Sequence, residues 1–244
     1  GLPLNFGAQP TAGNYTIIAV NQTSYCITQM NGTTVMNDSP VKYDVLPAGL
    51  QCSGTSVGLS NSQAGVSYQL LLDGIFNIGL PVAGTGSAID FGPQTLNGTY
   101  TVRAVNDITG CNTFMNDSAV IESLPAIFIT IPGGNHCAGS SIGVNGSELN
   151  YNYILVLDGT FNLDTIAGTG GVIDFGPQAI AGTYTVRAYN TASYCSSQMN
   201  GSSVILAAPV AYNMTPSGIA CQGDNIGLEN SEIGINYQLR WNSN

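Results

Sequence analysis

Apolar and polar residues alternate along most of this chain. Val66, Tyr68, Leu70 and Leu72 take every second position, as do Tyr151, Tyr153, Leu155 and Leu157, and again Ile235, Tyr237, Leu239 and Trp241. A period of two puts such residues on one face of a strand, so each run is read as a β-strand with one buried side. Asp73-Gly74 and Asp158-Gly159 close the first two runs, and Asp-Gly suits the two positive-φ positions of a tight hairpin turn. A shorter strand precedes each run, at Val57 and Leu59, Ile142 and Val144, Ile226 and Leu228, always with Gly between the two apolar residues. A later one carries Ile89 and Phe91, Ile173 and Phe175, or Leu4 and Phe6. After a Gly-x-Tyr signal, alternation puts Tyr100, Val102 and Ala104 inward and Thr101, Arg103 and Val105 outward. No stretch has the periodicity of a helix of three turns.

These strands recur at a fixed interval. Tyr15, Tyr100 and Tyr184 are spaced by 85 and 84 residues, and Cys26, Cys111, Cys195 and Met30, Met115, Met199 keep the same interval. So do Cys52, Cys137, Cys221 and Tyr68, Tyr153, Tyr237. A period of this length means an array of small domains. Pro-containing links at Leu46-Pro47, Leu124-Pro125 and Ala208-Pro209 are expected to bound the units. On that frame, 1–45 is the C-terminal half of a repeat, 46–124 and 125–208 are complete repeats, and 209–244 is an N-terminal half. By the period Gly1 matches Gly170 and Asn244 matches Thr160, so the two halves together lack only the counterpart of 161–169.

One unit reads as seven short strands, near 46–50, 56–62, 66–72, 76–83, 88–92, 99–106 and 112–121. Seven short alternating strands with Gly-rich turns form a two-sheet sandwich. The Gly-x-Tyr signal stands where immunoglobulin-like folds carry a tyrosine corner; an ordinary core Tyr is the other reading. The expected fold is all-β, with tandem immunoglobulin-like two-sheet sandwiches forming a rod.

Charge narrows the partners. Only 7% of the residues are charged, Lys42, Arg103, Arg187 and Arg240 are the only cations, and the net charge is -10. Nucleic acids and anionic membranes select for basic patches, so neither is an expected partner. No apolar run of spanning length appears, and with no leader-like segment the chain is read as a mature or excised fragment.

Six cysteines at repeat-locked positions, with a single histidine, point to disulfides in an oxidising compartment. Buried free thiols are the alternative, and zinc is disfavoured because no two cysteines form a close pair. The candidates are Cys26, Cys52, Cys111, Cys137, Cys195 and Cys221. Between Cys52 and Cys111 the expected chain crosses the sandwich five times, an odd number, which leaves them at opposite ends of one domain. A six-residue strand is roughly 20 Å long, whereas a disulfide needs Cα atoms within about 7 Å. In a rod the end of one unit meets the opposite end of the next, so Cys52 with Cys195 is preferred and the other four would pair with further units. The rival is Cys111 with Cys137.

At this point the residues resemble a known family. GTYTVRAVNDITGCNTFMNDSAVI and GTYTVRAYNTASYCSSQMNGSSVI, preceded by VSYQLLLDG, are similar to the immunoglobulin-like repeats of giant secreted surface proteins of Bacteroidetes, including gliding adhesins exported by the type IX secretion system. The resemblance covers essentially the whole chain. It implies an extracellular, cell-surface location and O-glycosylation at Asp-Ser/Thr followed by an aliphatic residue, which places glycans on Ser118 and Thr165.

A catalytic reading needs a base, a nucleophile and an electrostatic partner together, and His136 is alone and unrepeated. Asp90 and Asp174 are matched by Asn5, which suits a strand-edge polar role better than acid–base chemistry. Asp158, Asn162 and Asp164 lack the dense spacing of a calcium loop. The expectation is no enzyme, no metal and no cofactor. Two functions remain: a stalk or adhesive rod in a bacterial surface protein, with neighbouring repeats and an unidentified surface glycan or protein as partners, or a filament subunit whose split end domains complete one another.

Overall fold

The structure, a computed structural model, describes residues 1–241; residues 242–244, and with them the expected match of Asn244 to Thr160, lie outside the described residues. The chain divides into two compact units, Gly1–Leu124 and Pro125–Asn244. Every regular element among the described residues is a strand.

Unit one opens with two small ladders. β1 (Gly13–Tyr15), β2 (Ile18–Val20), β3 (Ile27–Gln29) and β4 (Thr34–Met36) pair antiparallel as β1 with β4 and β2 with β3. A complete sandwich follows, built from β5 (Val45–Leu46), β6 (Gly49–Cys52), β7 (Thr55–Leu59), β8 (Val66–Leu72), β9 (Phe76–Ala83), β10 (Ile89–Gln94), β11 (Gly98–Asn106), β12 (Asn112–Phe114) and β13 (Ala119–Glu122). One sheet runs β10-β7-β5; the other runs β6-β13-β11-β8-β9, with β12 also on β11. All pairs are antiparallel except β6 with β13.

The inward residues of both sheets form one core. Val57 and Leu59 of one sheet meet Tyr68, Leu70, Tyr100 and Val102 of the other, with Ile89 buried and Phe91 packed partly exposed at the margin. This is the set that alternation placed inward. Each such side chain contributes about 1.5–3 kcal/mol when fully buried. Gly58 stands between the two apolar residues of β7 because a Cβ there would run into the Ile89 carbonyl of β10.

β8 and β9 match the expected strands, and two others divide. The first strand, expected near 46–50, is β5 on one sheet and β6 on the other, so Leu46-Pro47 lies inside the sandwich instead of linking two domains. Val45 is already fully buried, and the Asn116 amide donates to the Tyr43 carbonyl at 2.9 Å. The sandwich therefore begins upstream of Leu46, and Ser39-Pro40 is the true counterpart of Leu124-Pro125. The strand expected at 112–121 breaks into β12 and β13 around Asp117, whose φ is +59°. There the chain leaves β11 to bond the entering strand: Val45 donates to the Asn116 carbonyl.

Unit two repeats the plan. β14 (Thr130–Ile131), β15 (Gly134–Cys137), β16 (Ser140–Val144), β17 (Tyr151–Leu157), β18 (Phe161–Ala167), β19 (Ile173–Gln178), β20 (Gly182–Asn190), β21 (Ser196–Gln198) and β22 (Ser203–Leu206) give sheets ordered β14-β16-β19 and β15-β22-β20-β17-β18, with β21 on β20. Its core holds Ile142, Val144, Tyr153, Leu155, Tyr184 and Val186. β23 (Met214–Thr215) and β24 (Gly227–Leu228) then form a short antiparallel pair.

Candidate functional site

The repeat-locked polar residues serve the backbone. Tyr100 donates its hydroxyl to the Leu96 carbonyl at 3.0 Å, Tyr184 to Ile180 at 2.7 Å and Tyr15 to Thr11 at 2.7 Å. Each ring is thus a tyrosine corner that ties its strand to the turn before it. A second tyrosine set works in the opposite sense: the hydroxyls of Tyr68, Tyr153 and Tyr237 accept the amides of Gln63, Glu148 and Glu232 at 2.8, 2.9 and 2.8 Å. Burial pushes the Tyr68, Tyr100, Tyr153 and Tyr184 hydroxyls above their ordinary pKa.

Asp90 accepts the Ser56 hydroxyl at 2.6 Å and the Gly92 amide at 2.8 Å. These donors, Ser56 foremost, hold its carboxyl below the usual range. Asp174 and Asn5 accept the amides of Gly176 and Gly7 in the same way, each at 2.8 Å. The turn amide needs only an acceptor oxygen, which Asn5 supplies as well as Asp does. Asp73 and Asp158 sit at the tips of their hairpins with φ of +52° and +50°, followed by Gly74 and Gly159 at +70° and +71°. Their carboxylates accept the amides of Thr99 at 2.9 Å and Thr183 at 2.8 Å.

That use occupies one of the three oxygen donors weighed for calcium, and a second, Asp164, accepts the amide of Thr165 at 2.7 Å. Among the described residues no group of three His, Cys, Asp or Glu side chains converges as a metal site. The His136 ring Nε2 lies 3.0 Å from the Gly133 carbonyl oxygen. Thr165 is exposed on β18, and Ser118 is half-buried with its carbonyl accepting the Gly49 amide.

The cysteines divide into two groups. Cys52 and Cys195 are disulfide-bonded, whereas Cys26, Cys111, Cys137 and Cys221 are free thiols. The rival Cys111 to Cys137 bridge is therefore not made. Within the first sandwich Cys52 ends β6 and Cys111 follows β11, with the five strands β7 to β11 between them.

Another set of contacts had no sequence signal beyond its spacing. The side chains of Gln63, Glu148 and Glu232 accept the amides of Val41, Ala126 and Val210 at 3.2, 2.7 and 3.0 Å. Each amide belongs to the residue after Pro40, Pro125 or Pro209. One acceptor per repeat thus fixes the chain where it enters the unit. The interval between 63, 148 and 232 follows the period, but only the fold brings them to those amides.

No family model matches the chain, and no curated protein does. Solved structures show partial similarity. An I-band fragment of titin is 15% identical over 70% of this chain and 66% of its own, with a TM-score of 0.38. The insect immune protein hemolin is 15% identical, with 80% of this chain and 56% of its own covered and a TM-score of 0.37. Fibronectin(III)-like modules of CbhA from Clostridium thermocellum are 13% identical, covering 67% and 93%, with a TM-score of 0.33. Likenesses of this size carry no argument; the all-β, immunoglobulin-like sandwich fold rests on the strand order and tyrosine corners of the chain itself.

Proposed function

We propose that this chain is a structural repeat segment of an extracellular bacterial surface protein, acting as a stalk or adhesive rod. The observation that carries the reading is the repeated entry clamp, in which Gln63, Glu148 and Glu232 each hold the amide after a linker proline. A clamp in every repeat limits the freedom of the chain where one domain follows another, which suits a spacer. The low charge and the disulfide-bonded Cys52 and Cys195 support an oxidising, extracellular setting. The Bacteroidetes surface-protein assignment rests on the resemblance of the repeat sequences, as do glycans on Ser118 and Thr165; neighbouring repeats are the primary partners. Antibody raised against residues 46–208 should label intact source cells, and external protease should remove the label. Labelling only after permeabilisation would sink the proposal.

A further inference from the structure

The broad sheet of the first complete sandwich has an outer face that the core does not use. Alternation turns Thr101, Arg103 and Val105 of β11 outward, and the ladders set Gln69 of β8 on one side of Arg103 and Phe114 of β12 on the other. Neighbouring strands lie about 4.8 Å apart, so this row of three side chains spans roughly 10 Å across the sheet.

Arg103 is a cation without a counter-ion. It is half-buried, its Nε is enclosed with no hydrogen-bond partner, and the Thr101 hydroxyl on the same face is in the same condition. Among the described residues no carboxylate pairs with the guanidinium. Buried donors are normally paired, and one left alone weighs against the fold. The strand itself does not require the charge, because Ile18 stands at the matching position of the first segment. Glu122 shares this face but lies beyond the pair of Gly98 with Ile121, about 20 Å along the strand from Arg103.

Phe114 departs from the other repeats at the adjacent place. Gln29 and Gln198 are its counterparts, and Gln198 donates to the Val186 carbonyl at 2.8 Å. Phe114 instead leaves its ring 48% exposed. The second sandwich thus has the cation, Arg187, without the ring, and the first has both side by side.

The sheet also limits what can bind there. β11 is bonded to β8 on one side and to β13 and β12 on the other, so it offers an extended peptide no free edge. A ligand on this face must be held by side chains. A uronic acid ring meets that condition: its carboxylate matches the planar fork of a guanidinium, and its C–H face suits an aromatic surface. Its hydroxyls would lie toward the exposed Asn112 amide, opposite Val105.

We propose that Arg103 and Phe114 form a binding site for an acidic polysaccharide, with the carboxylate of one uronic acid residue on Arg103 and its ring on Phe114. This names a ligand class for the adhesive-rod reading and rests on it.

The test is calorimetric titration of the 244-residue chain with tetragalacturonate in low-salt buffer. Binding is expected, and the same saccharide with its carboxyls reduced to alcohols should bind at least about tenfold more weakly, because the charge-assisted bond is lost. Arg103→Ile and Phe114→Gln copy residues that other repeats carry at these places, so both should unfold at the wild-type temperature. Each should weaken binding about tenfold, whereas Arg187→Gln should leave it unchanged. No binding by the wild-type chain, equal binding of the reduced saccharide, or wild-type affinity in Arg103→Ile or Phe114→Gln overturns the site. Tetraglutamate bound as tightly as tetragalacturonate overturns the assignment to a sugar. Antibody labelling of intact cells reports on the surface location separately, so a negative titration with labelled cells removes this site and leaves the surface-protein reading in place.

Discussion

The tyrosines carry much of this fold at the residue scale, because each combines a buried ring with a hydroxyl committed to the backbone. Tyr184→Phe keeps the ring and frees the Ile180 carbonyl, so a loss of about 1 kcal/mol is expected in chemical denaturation. Burial raises the folded-state pKa of Tyr68, Tyr100, Tyr153 and Tyr184. A raised folded pKa gives stability that is complete below the unfolded value, near 10, and is lost as pH rises through the folded one. Alkaline unfolding should therefore coincide with phenolate absorbance; a chain that keeps its sheets while those four ionise would contradict the burial account. Asp90 behaves in the opposite sense. Its folded pKa is lowered, so its contribution is present above the unfolded value near 4 and falls away in acid. Asp90→Asn should flatten the acid limb of the stability profile while preserving the turn, as Asn5 does in its own segment.

At the scale of elements, close approach of strands decides which positions tolerate change. Gly58→Val must displace the Ile89 carbonyl of β10, and overpacking of this kind costs about 1–3 kcal/mol. Leu155→Ala empties part of the second core, and a loss of about 2–5 kcal/mol is expected. Both are read from denaturation midpoints. A Gly58→Val chain as stable as wild type would mean that β7 and β10 do not pack as described.

For the whole molecule, the remaining question is covalent. Cys52 and Cys195 are expected to be joined to each other, and non-reducing peptide mapping should recover that linked pair while Cys26, Cys111, Cys137 and Cys221 react with alkylating reagent. A link from Cys52 to Cys111 would contradict the strand order. Reduction, or Cys52→Ser, should lower stability by about 2–4 kcal/mol. Glycopeptide mass spectrometry of native material checks Ser118 and Thr165, and unmodified peptides over both would end that proposal.

Much of the architecture is local and was therefore legible in the sequence. Alternation selects strands, the period of 84 or 85 residues selects repeats, and Asp-Gly selects the hairpin turns, because each follows from neighbours along the chain. The core residues Tyr68, Leu70, Ile89, Tyr100 and Val102 were readable for the same reason. Other features depend on residues distant in sequence. The division of the first strand between two sheets, the reach of Glu148 to the Ala126 amide 22 positions away and the collision of Gly58 with the Ile89 carbonyl 31 positions away all join residues distant in sequence. The glycine inside each short strand was visible as a pattern, yet its cause is a carbonyl on another strand, and only tertiary packing brings that carbonyl near.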